Sequence, residues 1–158
     1  MHFDTSIQLD NRPALGQCTN ITVETGIQTL SRIVVEVSEY EDDSENCQGI
    51  DLDFGEMIEL SKMLAEFSGG RKEPYRLTAA WQQHHGKHHL SLSPGIEGMV
   101  ALKVCYTDAA EEIDNRILSA LLTASECVPL AYAVRACGES RQMADEQIQA
   151  NKEIGLDN

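Results

Sequence analysis

The stretch WQQHHGKHHLSL, residues 81–92, places four histidines within six positions. Imidazole is the commonest metal ligand among side chains, so this spacing has to be tested against what a metal needs. With Gly86-Lys87 as a two-residue turn led by glycine, His85 opposes His88 and His84 opposes His89 across a hairpin. Side chains alternate along a strand, so the first pair shares one face and the second pair the other. A zinc site takes four convergent protein ligands, or three and a water, and each face supplies only one histidine pair. His84 and His89 would therefore hold Zn²⁺, and serve a metal-dependent enzyme, only with Cys105 or an acid from residues 41–60 completing the set. Without that addition the run is the polar tip of an exposed hairpin, and no cofactor is expected.

Carboxylates form the second constellation. The chain has 26 acids against 12 Lys and Arg, a formal net charge of −14. Residues 41–60 alone carry eight acids (Glu41, Asp42, Asp43, Glu45, Asp51, Asp53, Glu56 and Glu59) and no base. Residues 61–106, by contrast, hold six bases and three acids. Repulsion among unneutralised acids costs stability, so the 41–60 block implies a cationic partner more than it implies solubility. Phosphates would be repelled by so negative a chain, which argues against direct contact with nucleic acid and for a basic protein surface approached under electrostatic steering. Asp42, Asp43, Glu45 and Asp51 are the candidate contact residues. The segment GGRKEPYR, residues 69–76, has the look of a small phosphate-contacting patch, but bases at a helix C-terminus also satisfy the macrodipole.

Other chemistries find no motif. Placing Gly49 at the invariant glycine of an EF-hand leaves Gly55 where a bidentate glutamate belongs, so that calcium loop fails. No P-loop, dinucleotide fingerprint, nucleophile elbow or zincin pair occurs. The five cysteines, Cys18, Cys47, Cys105, Cys127 and Cys137, are odd in number and scattered without a C-x-x-C pair. That usage fits reduced thiols with packing roles in a cytoplasmic protein. The N-terminal residues lack a signal-like apolar stretch, and no apolar run approaches the ~20 residues that span a bilayer, so neither export nor a membrane is expected.

The elements that must position these residues follow from periodicity. At 158 residues, 42% apolar and 24% charged, the chain has the size and composition of a single domain over 1–158. Residues 1–19 read as an irregular N-terminal arm. ITVET (21–25) alternates, and IQTLSRIVVEVSEY (27–40) sends Ile33, Val35 and Val37 to one face, giving two strands joined at Gly26. EDDSENCQG (41–49) has no period and reads as an exposed loop. Asp53-x-x-Glu56 is a capping box opening a helix over about 54–68, closed at Gly69-Gly70. Residues 75–85 and 88–93 make the hairpin, and MVALKVCY (99–106) a further strand.

Asp108-x-x-Glu111 predicts a second capping box and a helix to about residue 126, whose broad apolar face over 113–122 suits a homodimer. At 128–138 Pro129 suits the first turn of a helix, the preferred reading, while alternation at Leu130, Tyr132 and Val134 also suits a strand. Ser140 then opens a polar helix to about Ile154, making 139–158 a surface helix and tail. The sum is an α+β fold, a largely antiparallel sheet of about five strands packed against two main helices, with a C-terminal helix.

From these readings the leading expectation is an acidic, non-enzymatic interaction protein. It would inhibit another protein by occupying its basic, nucleic-acid-binding site, with carboxylates standing in for phosphates as in DNA mimics and small anti-restriction or anti-CRISPR inhibitors. The competing expectations are the metal-dependent enzyme at His84 and His89, and a small acidic dimeric binding chaperone presenting the 113–122 face.

Overall fold

The computed structural model describes residues 4–9, 17–39, 45–82, 86–108 and 114–155. Four strands come first, β1 (Asp4–Gln8), β2 (Gln17–Thr25), β3 (Ser31–Glu39) and β4 (Glu45–Leu52), and helix α1 (Phe54–Ser68) follows them. Four more, β5 (Tyr75–Thr78), β6 (Gly86–Pro94), β7 (Val100–Asp108) and β8 (Asp114–Leu122), lead into α2 (Cys127–Glu153). Each set of four forms its own antiparallel sheet in sequence order. The fold is α+β with antiparallel sheets and a C-terminal helix, as expected; the described residues hold eight strands in two sheets, and the ββββα order occurs twice.

Alternation explains the core. Ile21 and Val23 of β2, Ile33, Val35 and Val37 of β3, and Ile50 and Leu52 of β4 are all buried and share one face by register. In the second sheet Leu77, Leu90, Leu92, Leu102, Val104, Ala120 and Leu122 do the same. The helices cover these faces and pack along one another. Helix α1 buries Met57, Leu60, Leu64 and Phe67, and α2 buries Cys127, Leu130, Ala133, Val134 and Cys137, each at helical spacing. Strand β4 also touches β6, β7 and β8, so one continuous cluster of apolar side chains runs under both sheets.

Local signals are read out faithfully where they are local. Asp53 Oδ1 accepts from the Glu56 amide at 2.8 Å, and Glu56 Oε1 accepts from the Asp53 amide at 2.9 Å, so the capping box closes as expected. The turn between β2 and β3 is closed by Gly26 N–H donating to Leu30 O at 3.0 Å. Arg141 of α2, 8% exposed, donates to the carbonyls of Leu30 and Gln28 and ties this turn to the helical layer.

Five expectations are corrected. The segment read as a loop over 41–49 becomes strand β4 from Glu45, because pairing with β3 puts Ile50 and Leu52 in the core. The helix expected to about 126 is strand β8. Its Ile117, Leu118, Leu121 and Leu122 fall at helical spacing only because apolar residues sit on both faces of the strand, and β7 needs an antiparallel neighbour along its length. The two C-terminal helices are one helix, since nothing between Cys127 and Glu153 breaks it. At the other end, residues 4–8 of the N-terminal arm pair with β2 as strand β1.

The hairpin register is the fifth. Gly86 and Lys87 do not turn; they begin β6, paired with Asp108 and Thr107 of β7. Thr78 lies opposite His89 and Leu77 opposite Leu90, so no pair of histidines is opposed across β5 and β6. Gly86 is glycine for room: a Cβ there would come within 2.0 Å of the Tyr106 ring. Gly86→Ala is therefore expected to destabilise the chain by about 1–3 kcal/mol through overpacking. Adding Tyr106→Gly should make the cost of Gly86→Ala nearly vanish in a double-mutant cycle read by urea unfolding. Undiminished cost in the double variant would contradict this register.

Candidate functional site

The outer face of the second sheet is the surface that the apolar core leaves to solvent. Cross-strand register arranges it in rows: Arg76–Ser91–Lys103–Ser119, then Thr78–His89–Cys105–Ile117, then Ser93–Ala101–Leu121. Lys87 and Thr107 make a shorter row at one end, where Asp114 follows in register beyond the bulge. Arg76, Lys87 and Lys103 are exposed, and no carboxylate occurs among the described side chains of this face. Strands lie about 4.8 Å apart, so Arg76 and Lys103, separated by β6, stand about 10 Å apart with Ser91 between them. Ile117 is 60% exposed and adds an apolar step beside the hydroxyls. His89 is held at the centre of the face, with its Nδ1 2.9 Å from Thr78 Oγ1.

Several carboxylates of the first sheet and of α1 are engaged elsewhere. On the polar face of the first sheet, Glu24, Arg32 and Asp51 form one row. Arg32 Nη1 donates to Asp51 Oδ2 at 3.3 Å, and its Nε lies 3.9 Å from Glu24 Oε1. Gly49 leaves room for this arrangement, since a Cβ there would sit 2.7 Å from the Arg32 guanidinium. Asp51 is 7% exposed. Burial pushes its carboxyl pKa up, against the pull of Arg32 and of His88. His88, whose ring meets Tyr106 at 4.8 Å, is in turn pushed down by burial. Glu56 spends its second oxygen on the Ala80 amide at 2.9 Å, tethering α1 to the chain after β5.

Of the residues singled out from sequence, Asp42, Asp43 and His84 lie outside the described residues. Glu45 opens β4, and Asp51 is paired with Arg32 instead of facing solvent. His89 meets Thr78 where His84 was expected, and among the described residues no group of three His, Cys, Asp or Glu converges as a metal would require. Burial raises the thiol of Cys127 to about 11 and that of Cys137 in the same direction, which suits packing and not nucleophilic work. What the sequence reading missed is the basic face itself. Its trace was the excess of bases over residues 61–106, which the acidic total obscured.

No family model and no curated protein sequence matches the chain. Solved structures do match it in shape. The plant transcriptional regulator PBF-2 superposes with a TM-score of 0.58 at 11% identity, over 99% of this chain and 94% of that one. WHY3 from Arabidopsis thaliana gives 0.59 at 10% identity, over 99% and 98%. MRP1/MRP2 of Trypanosoma bruciei gives 0.50 at 10% identity, over 87% and 84%. The chain shares its fold with these proteins.

That finding corrects the functional expectations. The DNA-mimicking, anti-CRISPR-like inhibitor that avoids nucleic acid and seeks a basic protein surface does not survive it. The physical grounds agree, because Asp51 is buried and paired with Arg32 and the open sheet face is cationic. The chaperone with a helical dimer face falls as well, since residues 114–122 are a strand of the second sheet. The enzyme built on opposed His84 and His89 loses the register it needed.

The His88 environment sets a pH dependence. Its folded pKa lies below the unfolded value near 6.5, so its contribution to stability is complete above that pH and is lost as pH falls. The unfolding free energy should drop between pH 7.5 and 5.5, by at most about 1.4 kcal/mol per unit for this one proton. His88→Gln should flatten that part of the profile in urea titrations, and an unchanged slope would assign it elsewhere.

Proposed function

We propose that this chain binds single-stranded nucleic acid directly, on the outer face of β5–β8. The observation that carries the reading is the cationic face of Arg76, Lys87 and Lys103 on a chain whose formal net charge is −14. Evenly spread charge would have left such a face negative, and phosphates would avoid it. The fold likeness to a transcriptional regulator supports the same reading. A broad, gently twisted sheet face does not fit a duplex groove, which admits a helix or a two-stranded ribbon. It can instead lie along unpaired nucleotides, with cations tracking the backbone and apolar side chains meeting the bases.

On this reading Arg76 and Lys103 contact successive phosphates across Ser91, and Lys87 holds a third at the far end. Ser91, Ser93 and Ser119 offer hydroxyls to sugar or base edges, and Ile117 and Leu121 supply apolar contact. No Phe, Tyr or Trp stands on this face among the described residues and the His89 ring is buried, so base stacking contributes little there and modest affinity is expected. Among the described residues no helix is long and apolar enough to cross a membrane. We place the chain in the cytoplasm, where its thiols would stay reduced.

Three phosphate contacts predict a salt dependence. The slope of log K against log salt should be about −2 for a single strand, from about −0.7 per contact. Fluorescence anisotropy with a labelled oligonucleotide would read it. Arg76→Ala, Lys87→Ala and Lys103→Ala should each make the slope shallower by about 0.7 and weaken binding whatever the base sequence. Binding with no salt dependence, or untouched by all three changes, would sink the proposal.

A further inference from the structure

The helical layer carries a cavity that the sheet face does not explain. Between α1 and α2 lies an open groove of about 350 Å³, lined by both helices. Its lining includes Ala65 and Ala131, the side chains of Val128 and Tyr132, and the cations Lys62 from α1 and Arg135 from α2. Tyr132 is 74% exposed and Val128 43%, so a large aromatic surface stands open beside two positive charges. On α2, Val128, Tyr132 and Arg135 follow one another at helical spacing, which brings ring and guanidinium to the same side.

We propose that this groove binds a single nucleotide unit, with its base on the Tyr132 ring and its phosphate between Lys62 and Arg135. The size falls within the range of small-ligand pockets, roughly 300–1,000 Å³. From Val128 to Arg135 the α2 wall is about 10 Å long. That span gives a docking helix only two turns, whereas helices much below ~12 residues are marginal. A flat base suits an open wall of small side chains and gains from stacking on an exposed ring, a contact every base can make. The phosphate answers the charge: Arg135 offers a fork of donors and Lys62 a point charge.

Arg135 is partly occupied already. Its Nε donates to Glu139 Oε1 at 2.9 Å, in an exposed pair one helical turn apart. A phosphate has to compete with that carboxylate for the guanidinium. Because exposed pairs of this kind contribute little to stability, removing Glu139 should leave the fold intact and release Arg135 for the ligand. The groove thus makes a prediction of opposite sign at two neighbouring positions of α2. The same chemistry could come from a free mononucleotide or from the end of a strand.

The test is isothermal titration of the full chain with AMP, adenosine and inorganic phosphate. AMP should bind at least roughly fivefold more tightly than either of its parts. Tyr132→Ala and Arg135→Ala should each weaken AMP by a similar factor, and Glu139→Gln should strengthen it, with circular dichroism confirming an unchanged fold. AMP binding no tighter than phosphate, or indifferent to Tyr132→Ala and Arg135→Ala, overturns the proposal. Displacement of AMP by an oligonucleotide bearing a 5′-phosphate, but not by one lacking it, would support a strand end as the source; no displacement by either would support free nucleotide. The Arg76→Ala, Lys87→Ala, Lys103→Ala combination should leave the AMP titration unaltered, so failure at the groove and failure at the sheet face read out separately.

Discussion

Each sheet must bury one face, and that demand governs everything outside it. Strand side chains alternate, so once Leu90, Leu92, Leu102 and Val104 are committed to the core, Ser91, Lys103 and Cys105 have no choice but the other side. A slip of one residue in β7 would drive Lys103 inward and expose Leu102 and Val104, and a slip in β6 would expose Leu90 and Leu92. The cationic face is thus a by-product of register, held in place by the free energy of burying the apolar one. Tyr106 over Gly86 pins that register at the end of the strand pair where apolar contacts thin out.

The same constraint decides how an acidic chain keeps a positive surface. Asp51 is drawn inward with its neighbours Ile50 and Leu52, and Arg32, which spans Glu24 and Asp51 along one row, offsets part of the cost of burying it. Glu56 is consumed by a cap and a loop amide. Both look unpaired in a linear sequence, yet Asp51 meets its cation across strands and Glu56 finds its donors within a helix turn and at the loop. Net charge summed over a chain says little about the field over any one face when sheet pairing sorts charges this way.

How much could be read from the sequence follows the range of the interaction concerned. Helix α1 was legible to the residue because its capping box and its apolar stripe lie within a few turns of each other. Strands β2 and β3 were legible because alternation and the turn at Gly26 agree. Strand β8 was not, since its composition suits a helix and only the unpaired edge of β7, absent from any local window, makes it a strand. Gly86 carried the local signature of a turn, while its actual reason, a tyrosine ring twenty residues later, is visible only in three dimensions. The pairing of Arg32 with Asp51 is hidden for the same reason. The basic face was scattered over β5, β6 and β7, one charge per strand or turn of phrase in the sequence, and no window shorter than the whole sheet collects it.

The ββββα order runs twice through the chain, yet the two halves have parted in electrical character. The polar side of the first sheet presents Asp4, Glu24 and Glu36 with Arg32, and the outer side of the second presents Arg76, Lys87 and Lys103. A body built this way behaves as a dipole. In the field of a polyanion it experiences an orienting torque before any contact forms, turning its positive end forward and its negative end away. Productive encounters would then outnumber what the overall repulsion between two negatively charged molecules suggests.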